Sequence, residues 1–242
     1  MSAAIYDDGT YASENPAWHM EDSPWKSRRI ARLIEGLSEK PLSIAEIGCG
    51  AGLILELLRH EHAIDAEMYG FDVSYDAEKI WAMRRPGVNY RRMNILDSDL
   101  TFDLLLCIDV FEHISDYMGF LTRLAQHAKT FIFHIPLELH VASILTDRHL
   151  RSRAEVGHLH YFSRATALAT LKDCGYRVLG DQLSCHILDE PAVKSKRGLG
   201  AHTLAGLARR AVSAASPALA AKVLGGYSLW VVAERSGEAT TS

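Results

Sequence analysis

The stretch Ile44-Ala45-Glu46-Ile47-Gly48-Cys49-Gly50-Ala51-Gly52 passes from an apolar run into glycines at alternate positions. The apolar run Leu42–Ile47 predicts a buried strand, and Leu53–Arg59 predicts a helix with a broad apolar side. Glycine carries no Cβ, so the chain between them can turn sharply and a ligand can lie against its backbone. In a doubly wound sheet the carboxyl end of such a strand opens onto the ligand crevice. Two familiar occupants are excluded. A dinucleotide loop needs Gly or Ala at position 53, where Leu53 stands, and a phosphate P-loop needs a Lys-Ser/Thr pair that is missing. Glu46, two residues before the first glycine, suits a ligand that brings a cation rather than a pyrophosphate.

Outward from this turn, strand and helix patterns alternate. Upstream, Ser23-Pro24 reads as an N-cap and first helical residue, followed by Ile30, Leu33, Ile34 and Leu37 on one face. Downstream, Met68–Asp72 predicts a strand, Ala77–Arg84 a helix, and Val88–Asn94 a strand. Phe102–Val110 is almost wholly apolar, as a strand buried on both faces requires. A helix capped by Ser115 or Asp116 runs through His127, and Thr130–Ile135 is the next strand. Ser163 caps a helix ended by Gly175; Tyr176–Leu179 and Gln182–Leu188 read as extended, and Ser228–Ala233 as a final strand. The expected fold is therefore α/β, a doubly wound, seven-stranded, mostly parallel sheet. Residues 137–157 and 193–225 are expected as helical insertions, after the fifth strand and between the last two.

The chain has 242 residues, enough for one such domain, expected over 23–235. Residues 1–22 are expected as a partly ordered lid and 236–242 as a flexible tail. The net charge of −4 gives no global attraction to nucleic acid. Cys49, Cys107, Cys174 and Cys185 form no CxxC pair, which suits a reducing compartment. No leader pattern or membrane-length apolar run appears, so a cytoplasmic protein without stable membrane insertion is expected. No acidic residue falls between Glu190 and Glu234, whereas Lys194, Lys196, Arg197, Arg209, Arg210 and Lys222 do. A helical cap with solvated cations is the favoured reading, and a surface for an anionic acceptor or a membrane face is the other.

The ExGxGxG turn resembles motif I of class I S-adenosylmethionine-dependent methyltransferases. The resemblance extends to Asp72 in Tyr69-Gly70-Phe71-Asp72-Val73-Ser74, to Asn94-Ile95, to Phe102–His113, and to Gly157-His158-Leu159-His160-Tyr161-Phe162-Ser163. It covers roughly residues 24–190 and 226–234. It implies S-adenosylmethionine as cofactor. Gly48, Cys49, Gly50 and Gly52 would lie against its methionine and ribose parts, and Glu46 would orient the loop and the amino group. Asp72 would hold the ribose, Val73 and Ile95 would border the adenine, Asn94 would read its amino group, and Asp109 would lie beneath the methionine end. For Asp72 and Asp109 the competing role is a helix N-cap.

Methyl transfer to a hydroxyl needs a group to take the acceptor's proton, and histidine suits neutral pH. His113, His134 and His158 are the candidate catalytic residues, against a structural role for each. Asp109-x-x-Glu112-His113 with His158-x-His160 loosely resembles the metal-binding set of small-RNA 2′-O-methyltransferases and of some quinone-pathway O-methyltransferases. Metal-free relatives carry a similar block, so no metal ligand is assigned. The expected function is O- or N-methylation of a small-molecule acceptor, anionic if the basic stretch serves it, with no nucleic-acid partner. An RNA or protein methyltransferase is the alternative, and a non-catalytic cofactor-binding scaffold is the alternative of another class.

Overall fold

The computed structural model describes residues 20–189 and 204–237. Residues 1–19 of the expected lid over 1–22, residues 193–203 of the second insertion and the tail beyond 237 lie outside the described residues. Seven strands form one sheet: β1 (Ser43–Ile47), β2 (Glu67–Asp72), β3 (Asn89–Arg92), β4 (Phe102–Ile108), β5 (Ala128–Leu137), β6 (Tyr176–Ser184) and β7 (Tyr227–Arg235). Their order is β3-β2-β1-β4-β5-β7-β6. All neighbours pair in parallel except β7, which runs antiparallel between β5 and β6. The chain order reverses beside β1, so the carboxyl ends of β1 and β4 frame the crevice.

Burial explains the composition of the central strands. In β4, Leu104, Leu106 and Ile108 face one core, and Leu105 and Cys107 face the other. The first core is closed by α1 (Ser23–Glu35), through Trp25, Ile30 and Ile34, and by α2 (Leu53–His60), through Ile54, Leu55 and Leu58. The second takes Phe120, Leu121 and Leu124 of α4 (Tyr117–Leu124). Between β2 and β3 lies α3 (Tyr75–Trp81). The first insertion folds as α5 (Val141–Leu145) and α6 (Arg148–Val156), followed by α7 (Arg164–Asp173). After β6 come α8 (His186–Asp189), α9 (Leu204–Ala215) and α10 (Pro217–Leu224).

Three local expectations are corrected. Ser23 is the first residue of α1, and Asp22 holds the cap position without a side-chain cap bond. The extended stretches after Gly175 are one strand, β6; Gly180 sits at a register shift against β7, so the sheet tolerates it as a bulge. That strand stops at Ser184, and 186–189 is a helical turn instead of strand. Asp116, of the two offered, caps α4 by accepting the Gly119 N–H.

Candidate functional site

Gly48, Gly50 and Gly52 all have positive φ, so every second residue of the turn after β1 is left-handed. At Gly48 a Cβ would lie 2.8 Å from Val110 Cγ2, and at Gly52 it would collide with the Tyr90 ring. Tyr90 and Trp81 brace this turn from β3 and α3. The Tyr90 hydroxyl donates to the Gly52 carbonyl at 2.7 Å, Trp81 Nε1 donates to the Gly50 carbonyl at 2.8 Å, and the two rings stack. The Cys49 side chain packs beside Ala77 and Trp81 in a small core of its own.

Asp72, at the end of β2, reaches the turn directly. One carboxylate oxygen accepts the Gly50 N–H and the other the Ser74 N–H, each at 2.8 Å. Ser74, not Asp72, caps α3. Burial raises the Asp72 pKa, and the backbone N–H groups oppose that rise. A carboxylate oxygen has two lone pairs, so each retains one for a sugar hydroxyl. Val73 beside it is half-exposed. Asn94 Oδ1 accepts the Leu96 N–H and caps a short turn, while the Ile95 side chain is fully buried.

Glu46 is buried on β1, and its Oε2 has no hydrogen-bond partner. Burial pushes its pKa up to about 8, although Lys26 pulls it down. An ammonium group placed against it would supply the missing partner.

At the end of β4, Asp109 is one of three described non-glycine residues with positive φ, at 54°. Its carboxylate accepts from Lys26 Nζ at 2.8 Å and from His134 Nδ1 at 2.6 Å. Burial would raise its pKa, but His134 and Lys26 overcome that and hold it far below the carboxylate range. Asp109 is therefore no helix cap; it is the joint between α1, β4 and β5. The His134 ring packs against both Trp25 and Trp230, with centroids 5.8 and 4.3 Å away, and its Nε2 has no partner.

His113 and His158 form a second group, their rings 4.7 Å apart. Fully buried Glu112 joins them, its two carboxylate oxygens lacking hydrogen bonds. One ligand atom from each of the three lies within 4.8 Å of the others. The outer faces of both rings are held. His158 Nδ1 donates to Glu138 at 2.7 Å, and Glu138 also accepts from Ser152; His113 Nδ1 faces the Gly157 carbonyl at 3.3 Å. In a neutral ring that donates through Nδ1, Nε2 carries the lone pair. Burial and the neighbouring His158 bring His113 down to about 4. Burial opposes charge on His158 too, but Glu138 and Glu112 prevail and raise its pKa. Burial, reinforced by Asp109, pushes Glu112 up to about 8. Of the other groups named beside these, Asp109 is taken by Lys26 and His134, and His160 donates to the Ile114 carbonyl.

Sequence reasoning missed Lys26, Glu138, Tyr90 and Trp81. Lys26 had a signal: it lies four residues before Ile30, on the apolar stripe of α1, where an unpaired cation would be costly. Glu138, just past the end of β5, shares with Asp72 and Asp109 its place at the crevice end of a strand.

A family model for a methyltransferase domain matches residues 19–180. The chain belongs to this methyltransferase family. S-adenosylmethionine is the cofactor of that domain, and the braced glycine turn, Asp72 and the unpartnered Glu46 fit it. Among curated relatives, the ubiquinone biosynthesis O-methyltransferase of Rickettsia prowazekii is 32% identical over 117 residues, 42% of this chain and 43% of that protein. The protein of the same name from Rickettsia typhi is 29% identical over 91 residues, 36% and 37% of the two chains. The chain thus spans about two fifths of the length of the relatives it matches. The magnesium protoporphyrin IX methyltransferase of Synechocystis PCC 6803, solved with S-adenosylhomocysteine, superimposes with a TM-score of 0.63 at 15% identity, over 98% of this chain and all of that one. It shares the Rossmann-like methyltransferase fold.

Proposed function

We propose that the chain transfers a methyl group from S-adenosylmethionine to a hydroxyl oxygen of a small-molecule acceptor. The observation that carries this is the pairing of His113 and His158 beside buried Glu112, two residues past Val110, whose side chain closes on Gly48 of the turn. When bound, the sulfonium supplies an electrophilic methyl group. The protein's part is to align the acceptor, exclude water and take its proton. His113, neutral near pH 7 and bonded through Nδ1, presents Nε2 as the proton acceptor. As the new C–O bond forms, the S–C bond breaks with its electron pair left on sulfur, and the hydroxyl proton passes to the imidazole. Names of curated relatives as O-methyltransferases support oxygen over nitrogen.

The acceptor is assigned to a cavity of about 250 Å³ whose lining includes Glu138, His140, Arg148, His149, His186 and Tyr227. It adjoins the paired histidines through Glu138, and its imidazole and guanidinium groups suit an anionic acceptor.

A second reading, favoured by the unpartnered Glu112 oxygens, places a divalent cation on Glu112, His113 and His158. Two imidazoles and a carboxylate, with His158 oriented by Glu138, are a suitable donor set, and such an ion lowers a hydroxyl's pKa.

Incubation with methyl-labelled cofactor and a panel of hydroxylated aromatic acids and matched amines, read by mass spectrometry, tests both readings. Label on oxygen, lost in His113→Ala, supports the first. Label confined to nitrogen, to RNA or to protein overturns it. Cofactor binding without turnover across the panel assigns the chain to a scaffold role. Calorimetric titration with manganese alone tests the ion, and no heat at the wild-type site ends that reading.

A further inference from the structure

We propose that α5, α9 and α10 form a docking face for an anionic lipid bilayer, a property independent of the transfer reaction. On α5, Val141, Ile144 and Leu145 lie at i, i+3 and i+4 and are 48%, 57% and 79% exposed, while Ser143 on the opposite side is buried. On α10, Ala220 and Ala221 are buried and Leu219 and Val223 point outward. That helix packs on α5 and on α9, where Leu207 is exposed beside Arg210 and Ala211. Three neighbouring helices thus turn aliphatic side chains outward. Soluble chains scatter such residues singly, and a gathered face marks an interaction surface.

The charge identifies the occupant. Lys222 stands between Leu219 and Val223 and Arg210 lies on α9, both exposed, whereas the adjoining α6 mixes exposed Arg151 and Arg153 with exposed Glu155. From 191 to 233 the sequence has no acidic residue, in a chain whose net charge is −4. A second copy of the chain in a two-fold contact would set this positive face against itself. Nucleic acid would satisfy the cations and leave the aliphatic side chains in water. Aliphatic side chains rimmed by Lys and Arg match the acyl boundary and headgroups of an anionic leaflet. No helix among the described residues is long enough and apolar enough to span a membrane, so the contact is peripheral. Since α5 and α6 also wall the 250 Å³ cavity, through Ser143 and Ser152, docking brings that cavity to the lipid surface.

The test is co-sedimentation of the full chain with vesicles of phosphatidylcholine alone and with about 30% phosphatidylglycerol. Binding is expected to the anionic vesicles and to weaken in high salt. Each neutralised cation should cost roughly fivefold in partitioning, so Arg210→Gln/Lys222→Gln should bind about 25-fold more weakly. Ile144→Asp/Leu145→Asp should abolish binding while keeping the wild-type circular dichroism and thermal midpoint. Equal binding of these variants and wild type overturns the proposal. So does wild-type failure to bind, including the case where equilibrium sedimentation shows a dimer that Ile144→Asp/Leu145→Asp dissociates.

Discussion

Glu112→Gln isolates the energetic consequence of burying a carboxyl group without partners. Burial and Asp109 raise the Glu112 pKa from the ordinary 4.5 to about 8 in the folded chain. The unfolded chain therefore loses this proton more readily. The contribution of Glu112 to stability is undiminished below pH 4.5 and declines as pH rises toward 8. By proton linkage the wild-type penalty is about 1 kcal/mol at pH 5 and about 3 kcal/mol at pH 7. Glutamine does not titrate, so the penalty vanishes. Its buried amide lacks partners just as the protonated carboxyl does, a cost the two proteins share. The variant should thus be close to wild type in stability near pH 5, and the difference should move by about 2 kcal/mol in its favour near pH 7. Glu46 has a raised pKa as well, but it is present in both proteins and cancels. Urea unfolding at about pH 5, 6, 7 and 8 with chelator present measures the difference. A stability difference that stays constant across that range would refute the reasoning.

Three further outcomes follow from named contacts. Gly52→Ala drives a Cβ into the Tyr90 ring at a positive φ; it should cost about 2 kcal/mol or more and abolish the thermal shift given by S-adenosylhomocysteine, and an unchanged shift would contradict the assigned turn. Lys26→Met leaves Asp109 with His134 as its remaining partner and should destabilise by about 1.5–3 kcal/mol near neutral pH. Because the pairing holds the folded Asp109 pKa below its unfolded value, wild-type stability from this group persists as pH falls through the usual carboxylate range; in the variant, acid unfolding should begin at higher pH, followed by circular dichroism. Glu138→Gln removes the anion that keeps the His158 pKa raised, so the acid limb of the kcat/KM profile should move to lower pH, and an unmoved limb would exclude His158 from the titrating step.

The sheet was legible because its signals are local. The apolar run of β4 reports burial on two faces, and the alternate glycines report a turn that side chains would block. Gly180 was misleading for a tertiary reason: a glycine that reads as a break is absorbed by β7, which pairs across it. The candidate site was half legible. Glu112 and His113 are adjacent in the chain, so their association was visible. His158 reaches them only because the Leu159 and His160 N–H groups bond the Glu112 carbonyl, a contact between distant segments. Asp109 was placed at the right strand end, but its partners were hidden, since Lys26 comes from the first helix and His134 from the next strand.

The wall around His134 has a consequence for the order in which the protein is made. Trp25 is synthesised early and Trp230 late, yet their rings meet 5.9 Å apart over the same imidazole. β7, which carries Trp230, is also the strand wedged between β5 and β6. A ribosome-bound chain arrested before position 227 therefore has a split sheet and an open imidazole. Chemical labelling of His134 on stalled nascent chains should report the moment of closure.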